Sequence, residues 1–137
     1  MPTVTYIDET VRQLLAADAM VASLVASRIY STQAPQGTQL PCVVYAQDQN
    51  NRGPYMHMRG MTGLTRVTFM ISCLGTSLVD VRNLSRAIRA VLQYKQSADI
   101  RLAVVKTEDD TTEPPAGGEQ LPIYRTDLSV EITFTEA

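Results

Sequence analysis

Histidine occurs once in this 137-residue sequence, at His57, and cysteine twice, at Cys42 and Cys73. Histidine is the commonest general base and metal ligand, so a single copy leaves little from which to build a catalytic triad. One histidine and two separated cysteines do not make a zinc site either. Both cysteines fall inside apolar strand-like runs, where a reduced thiol behaves as a small hydrophobe, and buried free thiols are expected. Long apolar runs are missing too. None approaches the about 20 residues that carry a helix across a bilayer, and MPTVTYIDET lacks the basic start and apolar core of a signal peptide. The expectation is a protein made and kept in a reducing cytoplasm, or in something assembled there, with no membrane contact. Net charge is equally scarce: 12 basic against 14 acidic residues leave -2, so no overall field draws the chain to nucleic acid.

Recognisable chemical motifs are also lacking. Gly60, Gly63, Gly117 and Gly118 do not lie between a strand and a helix in a phosphate-binding arrangement, and no GxSxG elbow is present. The acidic group Glu108, Asp109, Asp110 and Glu113 lacks the alternating ligands, central glycine and closing glutamate of a calcium loop, and Pro114 and Pro115 follow it directly. It reads as a solvated acidic loop. His57, among Met56, Met58 and Arg59, reads as an exposed or interface residue. No cofactor and no metal are expected, and the chain is not expected to be an enzyme.

What is present is a pattern of short amphipathic elements, with 45% of residues hydrophobic, enough for one core. Ile7, Val11, Leu14 and Leu15 recur at helical spacing, predicting a helix over residues 5–16 capped by Thr5. Asp18 caps a second short turn, AMVASLV. Arg28, Ile29 and Tyr30 then lead into a connector containing Pro35, Gly37 and Pro41, which neither helix nor central strand should cross. CVVYA, from Cys42, reads as a strand. LTRVTFMISCL (Leu64 to Leu74) alternates Val67, Phe69, Ile71 and Cys73 against Arg66, Thr68 and Ser72, so it is a half-buried strand. The intervening loop favours a hairpin.

Ser77 begins the strongest helix, residues 77–94, with Val81, Leu84, Ile88, Val91 and Leu92 on one stripe. IRLAVV follows, with Ile100, Leu102 and Val104 expected inside. The last segment alternates Tyr124, Leu128, Val130, Ile132 and Phe134 against Arg125, Asp127, Ser129, Glu131 and Thr133. These elements predict a single α+β domain over residues 1–137. Its sheet is mostly antiparallel and four-stranded, with two main helices packed on one face and extended loops at about 48–63 and 107–121. Val67, Phe69, Ile71, Ile88, Leu102, Val130 and Ile132 are the expected core.

Three groups suit contacts with partners. The loop from Asp48 to Gly63 carries Tyr55, Met56, Met58, Arg59 and Met61, adaptable interface residues. Arg82, Arg86 and Arg89, spaced by four and three, form a basic stripe away from the apolar face of their helix. The acidic group Glu108, Asp109, Asp110 and Glu113 is its opposite in sign. In an oligomer the acidic group meets the arginine stripe of the next subunit or a basic patch on an adjacent ring; the competing reading has the arginines touching DNA.

Read as one pattern, LLAADAMVASLVASRIY, a proline loop and LPCVVYAQ resemble the opening of the tail-completion proteins of long-tailed bacteriophages, which include tail terminators and tail-to-head joining proteins. TRVTFMISCLGTSLVDVRNLSRAIRAVL is similar to the strand-then-helix centre of that family, and Tyr124 and Leu128 fall in its closing strand. The resemblance implies a homo-oligomeric ring, a hexamer, at the head-proximal end of the tail tube. There it stops tube growth and presents a docking surface to the head connector. The implied partners are the tail tube protein, the connector or stopper, and double-stranded DNA passing through the lumen without sequence recognition. The implied location is the tail or neck of a virion assembled in the bacterial host cytoplasm. A head-side connector or stopper, or a DNA-contacting ring component, is the alternative role, and a small enzyme is a reading from another class.

Overall fold

Two short helices open the chain, α1 (Ile7–Ala17) and α2 (Ala19–Val25), and the residue between them explains the break. Asp18 has extended backbone, and its carboxylate accepts a hydrogen bond from the Val21 N–H at 3.0 Å, starting α2 as an N-cap. Val11 and Leu15 of α1 are fully buried, while Arg12 and Glu9 pair on its outer side. The computed structural model describes residues 7–33, 40–48, 64–96, 100–113 and 123–135. Thr5, His57 and the interface candidates Tyr55, Met56, Met58, Arg59 and Met61 lie outside the described residues.

The remaining elements are β1 (Ile29–Ser31), β2 (Cys42–Asp48), β3 (Leu64–Gly75), α3 (Leu78–Leu92), β4 (Leu102–Glu113) and β5 (Ile123–Thr135). The class is α+β, as expected, but the four-stranded, mostly antiparallel sheet needs correction. The sheet has five strands in the order β1-β2-β3-β5-β4 and is mixed, because β1 runs parallel to β2. β1 is too short to show an alternation, and contacts far along the chain fix it. Arg28 Nε donates to the Pro41 carbonyl at 2.9 Å, and the Val43 N–H donates to the Arg28 carbonyl at 3.0 Å. β2 and β3 form the expected antiparallel pair.

One face of the sheet is the core. Val43 and Tyr45 of β2, Val67, Phe69, Ile71 and Cys73 of β3, and Leu128, Val130 and Ile132 of β5 pack there with Val81, Leu84, Ile88 and Leu92 of α3. Ser77 occupies the N-cap position of α3 as expected, but its side chain makes no capping bond. At the β3–α3 corner only glycine fits: a Cβ on Gly75 would lie 2.8 Å from Val81 Cγ2. The opposite face, with Met70, Ser72 and Leu74, carries no helix among the described residues.

β4 departs from the sequence reading twice. Ala103 is fully buried opposite Ile132, whereas Leu102 and Val104, both expected inside, fall on the other face, Leu102 37% exposed opposite Thr133 and Val104 half-buried opposite Glu131. Four consecutive apolar residues, Leu102 to Val105, carry no period of their own, so the pairing with β5 decides which alternate set faces inward. The strand also continues through Glu113, so residues 107–113 are not loop. Cross-strand partners extend it where polarity and charge suggested solvated coil. Its outer edge is partly covered: Tyr94 N–H donates to the Ala103 carbonyl at 2.7 Å and Ala103 N–H to that of Lys95 at 3.1 Å.

Phe69 is fully buried in the central strand. Phe69→Ala is expected to lower stability in urea unfolding by about 3 to 5 kcal/mol. Leu102→Ser, on the open face, is expected to cost less than about 1 kcal/mol; a larger loss would place Leu102 in the core after all.

Candidate assembly surface

The arginine stripe and the acidic group, read from sequence as contacts between subunits, meet within one chain. Arg89 Nη1 lies 2.8 Å from Glu108 Oε2, and Arg82 Nη2 lies 3.5 Å from Asp110 Oδ2. A β-bulge between Val105 and Thr107 makes this possible. Before it, Ala103 and Val105 face the helices; the extra residue shifts the alternation, so that Glu108 and Asp110 face α3 opposite Leu128 and Thr126. Asp110 Oδ1 also accepts from the buried Thr126 hydroxyl at 2.7 Å, which anchors the carboxylate before the arginine reaches it. Asp109 falls on the other face, opposite Asp127, and is not brought to the stripe. Arg86, between the two paired arginines, is exposed and has no ion-pair partner among the described residues. Nothing is described of the Glu113 side chain.

The helix-free face carries a second set of polar contacts. Glu131 receives Lys106 Nζ at 3.0 Å and lies 3.3 Å from Arg66 Nε. Ser72 Oγ donates to Asp127 Oδ1 at 2.7 Å, and Arg125 Nε donates to the same oxygen at 2.8 Å. Beside this cluster lies an open depression of about 270 Å3, with Val44, Ala46, Met70 and Leu74 as its apolar floor and Thr32, Gln33, Ser72 and Arg125 as its polar rim. Sequence reasoning missed it. The signal was the interruption of Arg66, Thr68 and Ser72 by Met70 and Leu74, which puts apolar side chains on a face otherwise read as polar.

The described residues hold no group of histidine, cysteine or acidic side chains that could bind a metal ion, and no helix among them is long and apolar enough to cross a membrane. Both cysteines are free and buried. Burial pushes the Cys42 thiol up, partly offset by Arg28, and pushes the Cys73 thiol up strongly, with the Glu108 and Asp127 carboxylates adding to the effect.

The family described as Tail completion protein gp17 matches residues 9–122 of the chain. A search of curated proteins finds no match. Among solved structures, a chain from the virion of a native gene transfer agent particle has a similar fold, with a TM-score of 0.64, 18% identity and 92% of each chain covered. The chain belongs to the gp17 tail completion family, and it is a structural protein of a phage-type tail.

The α3–β4 pairs are testable as a charge exchange. Arg89→Glu and Glu108→Arg are each expected to destabilise the folded chain slightly, and the double exchange to recover about 0.2 to 1 kcal/mol of coupling in urea unfolding, less at high salt. Strictly additive losses would show that the pair contributes nothing. The thiols give a separate check: a thiol reagent such as DTNB is expected to leave Cys42 and Cys73 untouched in the native chain and to label both in urea. Rapid labelling of either native thiol would contradict its burial.

Proposed function

We propose that this member of the gp17 tail completion family forms a closed ring, a hexamer, at the head-proximal end of a phage tail. There it ends growth of the tail tube and joins the tail to the head connector. The family match over residues 9–122 carries the reading. A similar fold in the virion of a gene transfer agent particle is in keeping with a place in a phage-like particle. The subunit assembles in the host cytoplasm and stays in the neck of the virion, where double-stranded DNA passes through the lumen without being read.

The role is assembly, not catalysis. Among the described residues two hydroxyls bond a carboxylate, Ser72 to Asp127 and Thr126 to Asp110, yet Arg125 shares the Asp127 oxygen and Arg82 pairs with Asp110, which weakens both as proton acceptors. The reading in which the arginine stripe tracks DNA loses support from the same geometry that pairs Arg82 and Arg89 with carboxylates. Two of the three positive charges are balanced inside the subunit, and Arg86 alone offers little counterion release.

Electron microscopy of particles made without this chain tests the role. Headless tails of irregular, excess length are expected. Headless tails of normal length would assign joining alone, finished heads that leak DNA would assign the head-side stopper, and normal infectious particles would contradict all three. A chain lacking residues 51–61 is expected to remain a folded monomer that forms no ring; persistent rings would show that this segment is not the contact.

A further inference from the structure

β4 closes one side of the sheet, and only its start is covered. Ala103 turns its N–H and C=O away from β5, to Lys95 and Tyr94, and the Val105 N–H turns the same way to the Gln93 side-chain carbonyl at 2.8 Å. These two stand opposite Ile132 and Val130, and β5 keeps that alternation to its start. Glu108, Asp110 and Thr112, opposite Leu128, Thr126 and Tyr124, therefore also turn their backbone groups outward. No described residue bonds to those backbone groups. A row of that kind accepts an added strand, main chain to main chain.

We propose that this edge pairs with residues 55–59 of a second copy of the chain, added as an extended strand, which makes β4 the acceptor half of the subunit contact. The proposal rests on the ring reading above. Charge selects the partner. From Lys106 to Glu113 the strand carries Glu108, Asp109, Asp110 and Glu113 against one lysine, so two β4 edges repel each other. Arg89 and Arg82 hold Glu108 and Asp110, while Asp109 is exposed with no ion-pair partner among the described residues. The stretch between Asp48 and Leu64 has the opposite sign, with Arg52 and Arg59 and no carboxylate. Its run YMHMR, residues 55–59, holds neither proline nor glycine, and its length matches Glu108 to Thr112.

Reach assigns the strand to another copy. Leu64 stands opposite Thr135, and Ile71 stands opposite Leu128, which pairs with Glu108; the seven steps from Leu64 to Ile71 take about 23 Å. Arg59 is five residues from Leu64 and reaches at most about 18 Å from it. The chain's own residues 55–59 therefore stop short of Glu108, the nearest point of the open edge, and fall further short of Thr112. Residues 114–122, between β4 and β5, offer no substitute, because Pro114 and Pro115 have no N–H to give. The segment re-enters the sheet at Leu64, the Thr135 end, and the open edge lies towards Tyr124. Donor and acceptor are different surfaces, a heterologous contact that closes into a ring when the rotation allows.

Photocrosslinking on the full chain tests this. Thr111→Cys puts an exposed thiol beside the edge, and the burial of Cys42 and Cys73 directs benzophenone maleimide to it. Nitrogen-15-labelled, unconjugated copies are mixed with unlabelled conjugated ones, so that mass spectrometry separates crosslinks between copies from those within one. The expected product joins position 111 to residues 53–61 of another copy. Its yield should fall roughly tenfold when Arg52 and Arg59 of the unconjugated copies are changed to Glu, and recover in part when Asp109→Arg is added to the conjugated ones. Thr112→Pro deletes an N–H that points outward and leaves the bonds to β5 in place; the folded variant, checked by circular dichroism, is expected to sediment as a monomer. If Thr112→Pro does not fold, the arginine reversal decides alone. Crosslinks within one copy, crosslinks to another segment such as β1, an arginine reversal without effect or without rescue, or a folded Thr112→Pro chain that assembles like its parent overturns the strand pairing. Sedimentation of the same samples separates this from the ring reading. Rings with crosslinks elsewhere overturn the pairing alone, the expected crosslinks without rings overturn the ring alone, and monomers without intermolecular crosslinks overturn both.

Discussion

The register of β3 against β5 is the constraint on which the other features depend. From Leu64 opposite Thr135 to Gly75 opposite Tyr124, the two strands put their alternate apolar side chains on one face and commit the other face to polar and half-buried groups. A slip of one residue would exchange Phe69, Ile71, Val130 and Ile132 for Met70, Ser72, Ser129 and Glu131 and leave α3 nothing to pack on. β2 and β4 add to the outer sides of this pair, and the three helices cover the apolar face. Among the described residues, helices therefore cover the sheet on its core face alone.

Much of this was legible in particular residues. The alternation around Phe69 and around Val130, the stripe through Val81, Leu84 and Ile88, and the Asp18 cap each express a period or a bond within a few residues of itself. What the sequence did not yield depends on partners far along the chain. β1 exists because Val43 and Pro41 hold Arg28; Leu102 is outside because Thr133 is its neighbour; Thr107 to Glu113 form a strand because β5 runs beside them. Composition argued for loop in that last segment, and cross-strand pairing overrode it.

The bulge after Val105 shows how one local irregularity redirects a functional reading. Without it Glu108 and Asp110 would face away from α3, and the arginine stripe would be a free basic surface suited to DNA or a neighbour. With it, the two most concentrated charge groups are joined inside the subunit through Arg89 and Arg82, and Thr126 fixes one of the carboxylates. The site residues read from sequence thus divide. Arg82, Arg89, Glu108 and Asp110 pair within the subunit, Arg86 is exposed, Asp109 lies on the opposite face, and the Glu113 side chain lies outside the described residues. Those between Asp48 and Leu64 remain the proposed contact with other chains. The depression beside Ser72 and Arg125 was hidden in Met70 and Leu74, two apolar residues on a face otherwise read as polar.

Membership of the tail completion family supports the proposed role of a subunit whose work is to associate. A cryo-EM reconstruction of the neck of a particle that contains this chain tests that claim most directly. The account predicts a closed ring of this chain between the last ring of the tail tube and the head connector. A single copy, a position within the capsid wall, or absence from the finished particle would contradict it.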